Sequence, residues 1–244
     1  MTTILNIDQP TKWSESLKST LSRLRPVMRA WELDLPEKDA VSKLSKALQH
    51  YSLRGWHCTR LTDSEVANIK ANGLKVLSPD LVERRISDLI HQGMLQADVG
   101  DKLRVSHQAS AKNRAGMVWF CFFHPREENE SGIGRFLRQW GGEALYWAHE
   151  KNPAIAPILR QLGTPCIVEA DVPVAWLSTG KLHTLAEFIA QRDLIHHGEK
   201  ILVSRFEGYS LQSIPATYIR EVHKFPDKHF IKLSGCNRWE TPLS

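Results

Sequence analysis

The stretch that most constrains this chain runs Arg54-Gly-Trp-His-Cys-Thr-Arg-Leu61 and passes straight into Thr62-Asp63-Ser64-Glu65. The first part reads as a strand, on which His57 and Thr59, two apart, project from the same face. The second part is a capping box. Thr62 as N-cap accepts from the backbone of the third helical residue, and Glu65 at that position reaches back to the N-cap amide. Val66, Ile69 and Leu74 give an apolar stripe, and Gly73 stands where a helix stops. The spacing predicts a strand ending in polar groups, a tight turn, and a short helix closing at Asn72-Gly73-Leu74.

Around this unit the chain reads as helices first and strands last. Trp13, Leu17, Leu21, Leu24 and Met28 predict a helix over 13–30 that Pro26 breaks or ends. Asp34 is placed to cap a second helix, with Pro36 in its first turn and Val41, Leu44, Leu48 and Tyr51 on one face. Residues 1–52 are therefore expected to form a helical N-terminal extension, and 53–244 the main body. Within 78–113, Leu81, Ile86, Leu89, Ile90 and Met94 predict a helix that Gly93 and Gly100 loosen, followed by a polar loop from Val105 to Asn113.

Met117-Val-Trp-Phe-Cys-Phe-Phe123 is a continuous apolar run, expected to be a buried central strand. Helices follow, over the later part of 133–150 and over 154–162. Strands are expected over 165–173, 199–206 and 214–225, with a short edge strand over 230–233 and a helix over 182–192. This order predicts an α+β fold with a mixed, mostly antiparallel central sheet. No G-x-G-x-x-G follows a strand, which disfavours a Rossmann cofactor site.

Charge and cysteine usage narrow the classes further. There are 32 basic and 27 acidic residues, giving +5, a mild excess compatible with a polyanionic partner. The four cysteines, Cys58, Cys121, Cys166 and Cys236, are widely spaced with no C-x-x-C pair, so neither a zinc site nor a disulfide framework is expected, and a reducing cytoplasm fits. No run approaches the ~18 apolar residues of a membrane span. Residues 1–8 lack the charged and apolar regions of a secretory signal. H-E-x-x-H, G-x-S-x-G and P-loop patterns are absent.

His57-x-Thr59, the short amphipathic helix and Gly73-Leu74 resemble the first strand and helix of the ADP-ribosyltransferase superfamily, above all its DarT-type toxins that modify nucleic acid. A second likeness lies in His197-Gly-Glu-Lys-Ile-Leu-Val203 followed by Ser213-Ile-Pro-Ala-Thr-Tyr-Ile219. The resemblance covers roughly residues 54–225. It implies a sheet split around an NAD cleft, with NAD as substrate. It also implies a toxin or phage-defence effector with a nucleic-acid acceptor, RNA or DNA, and an antitoxin partner.

By the same resemblance, His57 and Thr59 hold the ribose and amide end of NAD. Glu199 takes the catalytic acidic position, Arg114 supports NAD and catalysis, and Tyr146 supplies a ring that stacks on nicotinamide. His197-Gly-Glu199 stands where some branches have Glu-x-Glu, which argues against arginine-directed activity. The chemistry explains why such a carboxylate is wanted. Breaking the nicotinamide–ribose bond develops an oxocarbenium-like sugar, and a fixed negative charge beside it lowers the barrier.

Each assignment has a plainer reading. His57 is a hydrogen-bonded strand histidine, Glu199 an exposed carboxylate, and Tyr146 a core aromatic. Glu221 is the rival acid, and Arg84 and Arg85 are rival arginines. Trp140-Gly-Gly-Glu143 permits close backbone approach to a ligand, or else starts a helix with Glu143 complementing its dipole. A protein acceptor, an RNA 2′-phosphotransferase and a non-catalytic binding module are the alternatives to the leading function.

Overall fold

The strand, the capped helix and the glycine stop all form as the spacing predicts. The computed structural model of the chain describes residues 3–29, 38–128, 130–201 and 205–243. β2 (Tyr51–Leu61) ends at Thr62, and α3 (Asp63–Asn72) begins there with both halves of the capping box made. The Thr62 amide donates to Glu65 Oε2 at 2.8 Å, and the Glu65 amide donates to Thr62 Oγ1 at 3.3 Å.

Glu65 does more than cap. Its carboxylate also takes Arg85 Nε at 2.6 Å from α4 (Pro79–His91), and the Trp140 indole N–H at 3.0 Å. The Arg85 guanidinium lies 4.5 Å from the centroid of that indole. Burial alone would raise the Glu65 pKa. The Arg85 charge and hydrogen bond, with the Thr62 amide and the Trp140 indole, outweigh it and hold the carboxyl below its ordinary value.

α3 ends at Gly73, whose φ is +76°. From there Leu74 exchanges two backbone hydrogen bonds with Ile214, at 2.9 and 2.8 Å. The approach is so close that a Cβ on Gly73 would lie 1.9 Å from the Ile214 carbonyl oxygen. Glycine is required here for space as well as for dihedral freedom.

The described residues hold an open six-stranded sheet, in the order β5 (Glu207–Ser210), β3 (Val118–Cys121), β2, β4 (Thr164–Pro173), β6 (Ile219–Lys224). β1 (Thr3–Leu5) lies parallel beside β2, and β4 pairs with β6 antiparallel. A chain mixing helices with an open sheet agrees with the α+β expectation at that level.

Packing gathers the residues into two units. The first comprises 1–55, 119–123 and 171–210, and the second comprises 56–118, 124–170 and 211–244. In the first, α1 (Glu15–Arg29), α2 (Lys38–Leu48) and α9 (Thr179–His196) pack pairwise. They bury Leu17, Leu21, Leu44, Leu48, Leu185 and Ile189. Arg25 forks onto both oxygens of Asp193, at 2.8 and 3.1 Å, so the buried carboxylate is neutralised where α1 meets α9.

The second unit is centred on α4, α5 (Ala97–Val105), α7 (Glu143–His149) and α8 (Ala156–Gln161). Ile86, Leu103, Trp140, Leu145 and Leu159 fill its core. Arg60, 5% exposed, spans this unit by donating to the carbonyls of Leu162 and Leu137, at 2.8 and 3.3 Å.

Several expectations are corrected. Pro26 neither breaks nor ends α1 within the described residues: the helix runs through it to Arg29, a proline removing only one helical hydrogen bond. Tyr51 belongs to β2 and not to the helix before it. Asp34 and Pro36 lie outside the described residues. The helix expected within 78–113, ahead of the loop from Val105, is two, α4 and α5, turned at Gly93, which has φ +69°. Gly100 sits inside α5, where a Cβ would lie 2.5 Å from Ile90 Cδ1.

The aromatic run forms only the four-residue β3, one place in from the sheet edge, with Trp119 37% exposed. Residues 199–201, 205 and 206 carry no strand, and 202–204 lie outside the described residues. Phe230–Leu233 is not an edge strand. It lies within α10 (Lys228–Ser234), where Phe230 and Ser234 are buried at helical spacing and Gly235 closes the helix with φ +66°.

Two outcomes follow from the Glu65 and Gly73 geometry. Gly73→Ala should lower unfolding free energy by more than about 2 kcal/mol, read from urea denaturation. A depressed folded-state pKa means that the Glu65 contribution is complete above the unfolded glutamate value and is lost as pH falls through the folded one. The difference in urea midpoint between Glu65→Gln and wild type should therefore be largest at about pH 7 and narrow as the pH falls below the ordinary glutamate range.

Candidate functional site

β2 carries His57 half-buried and Thr59 at 7% exposure. Next to them on the strand, Trp56 is 4% exposed and its ring lies 4.9 Å from that of His124. The capping box fixes where the strand stops, and so fixes the level at which these side chains leave it.

Arg114 and Tyr146 meet on one carboxylate. Gly141 and Gly142, with φ of +89° and +59°, turn the chain after Trp140 so that Glu143 opens α7. Glu143 Oε2 accepts from Arg114 Nε at 2.9 Å, and Oε1 accepts from the Tyr146 hydroxyl at 3.1 Å. A second Arg114 nitrogen donates to Gln108 Oε1 at 2.5 Å. The Gln108 amide is itself tied to the Ala144 carbonyl at 2.8 Å, so the expected loop is anchored there.

Arg135, from α6 (Glu130–Arg138), lies over the Tyr146 ring at 4.5 Å and donates to Glu150 at 2.6 Å. Burial pushes the Tyr146 hydroxyl well above its ordinary pKa, and the neighbouring Glu143 charge adds to that shift. Tyr146 is 2% exposed and stays a neutral donor. The helix-start reading of Trp140-Gly-Gly-Glu143 holds. Sequence reasoning missed that Glu143 joins the two residues it had picked separately.

Glu199 lies past the end of α9, half-buried in an irregular segment after Gly198, whose φ is +95°. Its amide donates to the Leu194 carbonyl at 3.1 Å. Glu199 belongs to the first unit, whereas His57, Thr59, Arg114 and Tyr146 belong to the second. Glu221 is exposed on β6. It accepts from its neighbour's amide at 2.9 Å and pairs with Lys70 at 3.0 Å. The Val222 amide and Lys70 hold its pKa low, as expected of a surface ion pair. Arg85 is committed to Glu65, and Arg84 is exposed on α4.

Among the described residues no His, Cys, Asp and Glu side chains gather in a group that could hold a metal ion, and no helix is long and apolar enough to cross a membrane. Comparison with family models, with curated proteins and with solved structures finds no match to this chain.

Arg114→Ala should cost about 1–3 kcal/mol in urea unfolding, because it strips both Glu143 and Gln108 of a donor at once. Tyr146→Phe removes one hydrogen bond, leaves the ring packing, and should cost only about 1 kcal/mol.

Proposed function

We propose that the chain is an NAD-dependent ADP-ribosyltransferase that modifies nucleic acid, acting as a toxin or phage-defence effector. The observation that carries this reading is the backbone pairing of Leu74 with Ile214. The resemblance rests on two short motifs from opposite halves of the sequence. The Gly73-Leu74 end of the first is clasped directly to Ile214-Pro215 of the second.

In this reading His57 and Thr59 hold the ribose and amide end of NAD, and Glu199 stabilises the sugar cation formed as the nicotinamide bond breaks. Arg114 is buried and already donates to Glu143 and Gln108. Such a committed guanidinium suits the supporting role. Tyr146, with Arg135 over its ring, contributes by holding Glu143.

The test uses the purified chain, NAD labelled in its adenylate part, and cell extract, with the products divided between nuclease and protease. Label should be released by nuclease and resist protease, and Glu199→Gln should lower its incorporation by about 10²–10³. Protease-sensitive label makes protein the acceptor. Equal labelling by Glu199→Gln and wild type overturns the assignment of that carboxylate.

A further inference from the structure

The second unit carries a large basic groove that neither sequence motif touches. Its volume is about 1280 Å³, and it is walled by α6 on one side and by α10 with the residues that follow on the other. Six cationic side chains line it, Arg126, Arg135, Arg138, Lys228, Lys232 and Arg238. The opposing carboxylates are Glu128, Glu130 and Glu240, so basic groups outnumber acidic ones six to three.

Glu130 offers little free charge. Arg138 pairs with it, and it accepts from the amides of Glu240 and Thr241 at 2.8 and 3.1 Å. Arg126, Lys228, Lys232 and Arg238 are exposed. None of these four makes an ion pair among the described residues. Arg138 Nε is buried without an acceptor. The Trp239 indole stands in the same lining, with the Arg138 guanidinium 5.2 Å from its ring centroid.

We infer that this groove binds a single-stranded nucleic acid, with its phosphates on the basic side chains and an unpaired base against Trp239. Size and character decide against a small molecule, since such sites are mostly apolar and about 300–1,000 Å³. The aromatic decides against a merely acidic protein. A cationic channel with an indole inside is the combination that tracks a phosphate backbone while stacking a base. A base must be unpaired to offer its face to a side chain, which selects a single strand over a duplex.

Arg135 connects this groove to the candidate site, because the same side chain lines one and covers the Tyr146 ring of the other. The inference rests on the transferase reading only in calling the strand an acceptor. The binding itself needs no NAD.

The test is fluorescence anisotropy of the full chain with a labelled single strand of about 12 nucleotides, without NAD, across a salt series. The same strand as a duplex, polyglutamate, and phosphatidylserine vesicles serve as competing probes. Replacing Lys228, Lys232 and Arg238 together by Ala should weaken strand binding at least tenfold. It should also flatten the dependence of log affinity on log salt by about 2.

Trp239→Ala should weaken binding by about tenfold with the salt slope unchanged, because stacking releases no counterions. Unaltered affinity in the triple variant overturns the inference, as does binding of polyglutamate, vesicles or duplex as tight as that of the strand. Strand binding with no label transfer from NAD keeps the groove and removes the transferase reading. Label transfer with unchanged strand affinity in the triple variant does the reverse.

Discussion

The carboxylate of Glu65 is shared among three parts of the second unit that have no other reason to align. It closes the N-terminus of α3, receives Arg85 from α4, and takes the indole N–H of Trp140. A half-buried charge with this many donors is stable only while all of them remain, because losing one leaves a desolvated group without compensation. The local device that ends β2 and starts α3 therefore also fixes where α4 and the Gly141-Gly142 turn lie. Through that turn it sets the position of Glu143.

From Glu143 the network passes outward. Arg114 and Tyr146 are held by its two oxygens, and Arg135 bridges from the Tyr146 ring to the basic groove. Buried polar networks of this kind are rigid when complete, which suits a site that must present groups at fixed distances. The mild +5 charge of the chain understates its local electrostatics, since six cationic side chains gather along one groove against three carboxylates.

What could be read from the sequence was what depends on neighbours a few residues apart. The capping box, the Gly73 stop, the β4 strand and the α9 helix all formed as expected, because each is written in adjacent side chains. Phe230–Leu233 misled because a short apolar run carries no period, and burial of Phe230 and Ser234 settled it as helix. Glu143, Arg60 and the groove were illegible for another reason. Their roles come from partners distant in sequence, such as Arg60 with Leu162, and no local pattern records these. The grouping of residues 1–55 with 171–210 is likewise a product of tertiary packing.

The clasp between Leu74 and Ile214 is made by main-chain atoms, so it asks little of the side chains on either strand beyond their being apolar and buried. Gly73 alone is held by its lack of a side chain. Two distant segments can thus drift in composition while keeping their juxtaposition, provided that one position stays bare. Such a join leaves almost no trace in residue identity, and a chain could retain the architecture of its ancestors long after its sequence has ceased to resemble theirs.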